Sequence, residues 1–183
     1  MNIWHDINPD VITPESFSAV IEIPKGSRTK YELDKDTGIM RLDRILYTST
    51  HYPANYGFIP RTYADDLDPL DVLVICTEPI NPMTLVQCYP IGVIRMIDNG
   101  RYDEKIIAIP LFDPTYNNYK SIFDLPQHIF AEMSHFFTVY KQLENKETAV
   151  DSNNVGDREE AIKIIADAID SYNKNLYKIR PSR

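Results

Sequence analysis

Four carboxylates fall within seven positions in DDLDPLDVLVIC, Asp65 to Cys76, where Asp65, Asp66, Asp68 and Asp71 lead into an uncharged apolar run. Charge and core meet at one place. If the backbone is extended through Asp66 and Asp68, their side chains share a face, because Cβ direction alternates with a period of two. Pro69 then interrupts the ladder and lets Asp71 approach the same space. Two carboxylates about 5 Å apart repel by roughly 3 kcal/mol at an effective dielectric of about 20. Three mutual pairs therefore cost about 10 kcal/mol, comparable to a whole domain's stability. A positive charge must sit among them. Oxygen donors with no Cys or His beside them select a hard cation, Mg²⁺ or Mn²⁺ ahead of Zn²⁺. A calcium EF-hand starting at Asp66 is excluded, because its sixth position requires Gly and its twelfth Glu, where the chain has Asp71 and Thr77.

Further polar residues of complementary type fall at strand ends and turns. Glu22 lies in the apolar strand VIEIP, where a buried carboxylate needs a partner. Lys30 and Glu32 are two apart in KYEL and share a strand face, and Arg44 follows Asp43. Tyr52 and Tyr56 flank HYPANYGFIP. Asp98, Asp103 and Lys105 surround Asn99-Gly100, and Tyr140 and Lys141 follow His135, Phe136 and Phe137. Singly, each has an ordinary reading as an exposed pair or a core aromatic.

The elements that must position these groups are short strands, then helices. Apolar runs at Phe17 to Ile23, Lys30 to Leu33, Ile39 to Leu46, Val72 to Thr77, Leu85 to Ile97 and Lys105 to Ile109 read as strands. Lys35-Asp36-Thr37-Gly38 and Asn99-Gly100 are hairpin chemistry. From Asp124, an N-cap with Pro126 in the first turn, apolar side chains recur at Ile129, Met133, Phe136, Phe137, Tyr140 and Leu143, one face of a helix. A second helix starts at Asp157 with Glu160 and buries Ala161, Ile164, Ile165, Ala168, Ile169, Tyr172 and Leu176. Glu144 to Gly156 reads as a polar loop. Five to seven strands and two helices imply a closed or nearly closed barrel flanked by helices.

With 183 residues and 43% hydrophobic content the chain suits one domain, residues 1 to 183, with a substantial core. The net charge of −8 opposes a nucleic-acid surface. No run of about 18 apolar residues suggests a membrane span. The start MNIWHDINPD lacks the basic and apolar regions of a secretion signal, so the expectation is a cytoplasmic protein. Cys76 and Cys88 form no CxxC or Cys/His cluster and read as structural thiols, and the four histidines as structural or surface residues.

Six ordered motifs together resemble the family I soluble inorganic pyrophosphatases. They are IEIPKGSRTKYELD at 21 to 34, LDRILYTSTHYPANYGFIP at 42 to 60, DDLDPLDVLV at 65 to 74, IGVIRMID at 91 to 98, DEKIIAIP at 103 to 110 and HFFTVYKQLE at 135 to 144. The resemblance implies a mainly β protein with flanking helices (α+β), a five-stranded OB-type closed barrel with two main C-terminal helices. It implies Mg²⁺-dependent hydrolysis of pyrophosphate to two phosphates, with Mn²⁺ or another divalent ion as substitutes, and a chain of the short bacterial type, usually a homohexamer. By the same resemblance Asp66, Asp71 and Asp103 match ligands of two activating metals. Asp98 with Asp103 matches those of a substrate-associated metal, and Glu22 and Glu32 belong to an outer acidic set. Asp68 matches the carboxylate that takes a proton from the attacking water. Lys30, Arg44, Tyr56, Lys105, Tyr140 and Lys141 match groups that bind phosphoryl oxygens, while Asp43 and Tyr52 match supporting positions.

Two departures stand out. Asn99 replaces an acid found in many members, and Tyr116 stands near a phosphate-binding Lys of some; Lys146 is a further candidate phosphate ligand. Two other classes stay open, an OB-fold nucleic-acid module and a broader metal phosphohydrolase acting on nucleotides or organic phosphates.

Overall fold

The computed structural model describes residues 2–35, 37–98, 101–144 and 148–179. β-branched and aromatic runs form eight strands: β1 (Phe17–Ile23), β2 (Thr29–Leu33), β3 (Met40–Ile45), β4 (Asn55–Phe58), β5 (Asp71–Val74), β6 (Leu85–Asp98), β7 (Arg101–Pro110) and β8 (Thr148–Gly156). Two helices, α1 (Gln127–Val139) and α2 (Arg158–Ile179), complete the fold.

Five strands close on themselves in the order β1-β4-β5-β7-β6, the ring sealed by β1 pairing with β6. This is the expected five-stranded barrel. Among the described residues only β5 and β7 run parallel, and their register sets Asp71 directly beside Lys105. β8 extends the sheet from the far edge of β6, and β2 with β3 forms a separate two-stranded sheet.

The uninterrupted apolar runs of β5 and β7 follow from burial on both faces. Val72, Val74, Ile106 and Ala108 pack with Ala161, Ile165 and Ala168 of α2. Leu73, Ile107 and Ile109 pack with Met133, Phe136 and Phe137 of α1. Gly57 on β4 permits a close backbone approach to β1, since a Cβ there would lie 1.9 Å from the Val20 carbonyl oxygen.

Several local expectations change. β4 is a four-residue strand between Pro53 and Pro60, too short to show a period. The segment expected as a polar loop contains β8, which pairs with β6 from Val93↔Gly156 to Asp98↔Thr148. An exposed backbone edge on β6 overrides the weak strand propensity of TAVDSNNVG. Asp124 does not cap α1. It closes a capping box with Ser121 around the 3₁₀ turn Ile122–Asp124, and Pro126 is the N-cap of α1 rather than part of its first turn. Leu143 lies beyond the helix in the turn Gln142–Glu144 and is exposed. The capping box of α2 forms as expected, with Glu160 N–H donating to Asp157 Oδ1 at 2.9 Å and Asp157 N–H to Glu160 Oε2 at 3.1 Å. The expected β6–β7 hairpin pairs through Asp98↔Arg101, while Asn99 and Gly100 lie outside the described residues.

Phe136 is 3% exposed and meets the rings of Tyr52, Phe137 and Tyr140 at 4.7, 5.0 and 5.1 Å between centroids. Phe136→Ala is expected to cost about 3–5 kcal/mol. Chemical denaturation at neutral pH checks this, and a shift below about 1 kcal/mol would show that the face is not core.

Candidate active site

The residues gathered by this topology line one open cleft of about 620 Å³ between the barrel and the β2–β3 sheet. Twelve of the thirteen expected site residues line it: Glu22, Lys30, Glu32, Arg44, Tyr56, Asp66, Asp68, Asp71, Asp103, Lys105, Tyr140 and Lys141. The thirteenth, Asp98, ends β6, and its side chain lies outside the described residues, as does Lys146. Tyr116 does not line the cleft and packs against Tyr119 at 5.9 Å. Asp43 does line it, whereas Tyr52 is buried beneath, edge-on to Tyr56 at 5.5 Å.

Lys105 is the pivot. Only 2% of its side chain is exposed, and Nζ donates to Asp71 Oδ2 at 2.7 Å, Asp103 Oδ1 at 2.8 Å and the Tyr56 hydroxyl at 3.2 Å. The ammonium also stands 5.3 and 5.4 Å from the Tyr56 and Phe137 ring centres. Burial opposes its charge, but Asp71 and Asp103 prevail and hold its pKa well above the ordinary lysine value. The Tyr56 hydroxyl donates to Asp71 Oδ2.

Around that pivot the acids are short of positive charge. Burial pushes the Glu22 carboxyl up to about 8, against one stabilising bond from Leu33 N–H at 2.8 Å. The β1 register shifts between Ile21 and Ile23, so Glu22 sits in the irregularity. Burial, then the charges of Asp71 and Asp103, raise Asp66 to about 6. Asp71 is raised too, by burial, with Lys105 working against it.

The β2–β3 sheet supplies cations. Lys30 pairs with Glu32 and, at 3.3 Å, with Asp43; Arg44 bonds Asp43 and, through Nε at 2.8 Å, Glu144. Burial works to raise the Asp43 carboxyl, but Lys30 and Arg44 bring it below its ordinary value. Arg44 Nη2 is buried and has no hydrogen-bond partner among the described residues.

The acidic loop is not an extended strand. Leu67 adopts φ of 75°, Ala64 N–H donates to the Asp68 carbonyl at 2.8 Å, and Asp68 N–H bonds Asp66 Oδ1 at 3.1 Å. The residues 65–70 turn, so alternation is not what brings Asp66 and Asp68 to one cleft.

Trp4, Asp34, Lys35 and Arg41 also line the cleft and were missed as site residues. Asp34 and Lys35 sit within or beside the KYELD motif and were within reach of sequence reading. Trp4 carried no signal.

The sequence profile of the family described as Inorganic pyrophosphatase matches residues 19–173. The chain belongs to the inorganic pyrophosphatase family. Soluble inorganic pyrophosphatase 2 of Chlamydomonas reinhardtii is 49% identical over 172 residues, covering 94% of this chain and 88% of the relative. The solved pyrophosphatase of Helicobacter pylori superposes with a TM-score of 0.84 at 42% identity, covering 88% of this chain and 96% of that one. The Thermus thermophilus enzyme superposes at 0.89 and 36% identity, covering 94% and 99%. The five-stranded barrel is therefore the family's OB-type fold, and the family's reaction is hydrolysis of pyrophosphate to phosphate. Among the described residues no helix is long and apolar enough to cross a membrane.

The donor set fits a hard divalent cation in composition, being entirely carboxylate oxygen on its acidic wall. It is not a ready-made cage, for among the described residues no three such side chains converge as an ion site. The Lys105 ammonium between Asp71 and Asp103, and the proton retained by Glu22, supply neutralisation that a cation would share. Two outcomes are expected. Mg²⁺ binding near pH 7 releases protons, read by calorimetry in buffers of different ionisation enthalpy, and equal heats in all buffers would refute it. In metal-free protein Glu22, about 8 when folded against an ordinary 4.5, holds a proton that the unfolded chain has lost, so stability falls as pH rises from about 4.5 to 8. Glu22→Gln keeps the acceptor for Leu33 N–H and removes that loss. Its metal-free stability should exceed the parent's by at most about 5 kcal/mol above pH 8 and match it near pH 4.5.

Proposed function

We propose that this pyrophosphatase-family chain is an Mg²⁺-dependent enzyme that hydrolyses pyrophosphate by direct attack of water, with Asp68 as the proton acceptor. Mn²⁺ or another divalent ion would serve as a substitute. The carrying observation is that twelve residues from separate motifs line one cleft in which an acidic wall faces cations. Asp66, Asp71 and Asp103 would hold the activating ions, Asp98 with Asp103 a substrate-associated ion, and Glu22 and Glu32 the outer acidic set. Bound there, Mg²⁺ supplies charge neutralisation and lowers the pKa of a coordinated water.

The chain's own groups do the rest. Lys30, Arg44, Lys105 and Lys141 would balance phosphoryl oxygens, the Tyr140 hydroxyl would donate to them, and the Tyr56 hydroxyl would do so on turning from Asp71. Arg44 Nη2, buried without a partner, suits an anion directly. Asp68, 53% exposed at the cleft, takes the proton from water at a carboxylate oxygen as the new P–O bond forms. The bridging P–O bond breaks, and the second phosphate departs against the cations. Direct attack by water forms both phosphates in one displacement and passes through no covalent phospho-enzyme.

The reading includes a single domain acting in the cytoplasm to pull biosynthetic reactions forward. It also includes a homohexamer. Ile39, Leu42, Ile45 and Tyr47, all exposed on or beside β3, give an apolar strip suited to subunit burial.

Phosphate release from pyrophosphate, ATP and a simple monoester, each with and without Mg²⁺, tests the assignment. Release from pyrophosphate should dominate and vanish without divalent ion. Asp68→Asn should lower kcat by about 10²-fold or more while the thermal midpoint holds. Folded protein inert toward pyrophosphate across Mg²⁺ and Mn²⁺ titrations would defeat the reading. Tight oligonucleotide binding without phosphate release would favour a nucleic-acid module.

A further inference from the structure

No step above uses the N-terminal segment, yet it reaches the cleft. Trp4, the single tryptophan, is 4% exposed and lines the cleft wall. Its Nε1–H donates to the Thr62 carbonyl at 2.9 Å, and Thr62 Oγ1 accepts from Leu70 N–H at 2.8 Å. Thr62 and Leu70 bracket the acidic loop, so the indole is fastened to the loop's base. Arg61 fastens the other side, its N–H donating to the Trp4 carbonyl at 3.0 Å and its Nη1 to the His5 carbonyl at 2.7 Å.

Lys35 joins this anchor to the loop's tip. Its ammonium stands 5.3 Å from the Trp4 ring centre and donates to Asp68 Oδ1, while Asn2 Nδ2 donates to the Lys35 carbonyl at 3.1 Å. Asp68 follows Leu67, whose φ is 75°, and its side chain is 53% exposed. An acceptor on an exposed turn loses efficiency when its oxygen wanders by an ångström. An exposed ion pair alone holds little. Here the lysine is itself held at its carbonyl and against an indole face, so pairing costs less side-chain freedom.

We propose that Trp4 and Lys35 are positioning residues that hold the Asp68 carboxylate in place at the cleft, with the N-terminal segment as their anchor. The inference rests on Asp68 being the proton acceptor. Neither residue touches the reacting atoms.

Steady-state kinetics on Mg²⁺ and pyrophosphate, with Trp4 emission recorded in parallel, tests this in full-length Lys35→Gln, Lys35→Arg, Trp4→Phe, Asp68→Asn and the double variant Lys35→Gln/Asp68→Asn. Lys35→Gln should lower kcat about tenfold with KM within about twofold, and Lys35→Arg should restore most of the loss. Trp4→Phe keeps a ring beneath Lys35 but loses the bond to Thr62, and should lower kcat about threefold. The double variant should be no slower than Asp68→Asn alone, and Trp4 emission should shift in Lys35→Gln. Unchanged kcat in Lys35→Gln while Asp68→Asn is inactive overturns the inference and leaves the assignment of Asp68 standing. A raised KM with intact kcat also overturns it, by placing Lys35 on the substrate, and so does an additive double variant. Full kcat in Asp68→Asn defeats the underlying assignment instead. Lys35 is partly exposed, so its variants decide the matter even where Trp4→Phe loses stability.

Discussion

A lysine ammonium with 2% of its side chain exposed is a severe constraint on a small barrel, because an unpaired charge there would neutralise or unfold its surroundings. Lys105 escapes both fates because β5 and β7 run parallel in a register that sets Asp71 beside it, while Asp103, two residues earlier on β7, shares its face. Tyr56 arrives from β4, adjacent to β5 in the closed ring. Four groups from three strands thus interlock, and each depends on barrel closure to stay in reach. The site and the fold are in this sense one object.

The same constraint explains the acidic wall. One ammonium cannot neutralise Asp71, Asp103, Asp66 and Glu22 together, and burial, with neighbouring carboxylates adding to it, raises Asp66 to about 6 and Glu22 to about 8, so that Glu22 keeps its proton at neutral pH. A site poised this way is suboptimal for stability and suited to recruiting cations, the usual exchange between stability and function. Glu22 shows how local the device is, since a register irregularity in an otherwise buried strand sets its carboxyl against Leu33 N–H.

Most of the cleft's charged lining was legible in the sequence because its chemistry is dense and its motifs are ordered. The barrel followed from strand-like runs whose length and turn signals agreed. Where sequence reading failed, long-range pairing decided the outcome. β8 exists because β6 offers an open edge, and nothing in TAVDSNNVG announces a strand. The parity argument for Asp66 and Asp68 reached the right cleft by the wrong geometry, since a positive φ at Leu67 and an Asx-type bond turn the loop. Trp4 was invisible for a related reason. Its relevance lies in contacts across 58 residues of sequence to Thr62, and no spacing rule reports that.

Charges in the cleft are also divided by the element that carries them. Asp66, Asp71, Asp103 and Lys105 belong to barrel strands or the loop entering one, buried on both faces by helices. Lys30, Arg44, Lys35 and Arg41 belong to the separate β2–β3 sheet and its turn. The barrel side can hold its donors to fixed positions, as the ion coordination proposed for them would require. The two-stranded sheet packs less deeply, with Ile39, Leu42 and Ile45 facing solvent, and is the softer wall. Under the proposed function, movement of this sheet would act on phosphoryl oxygens through Lys30 and Arg44, while the register that fixes Asp71 against Lys105 stays intact.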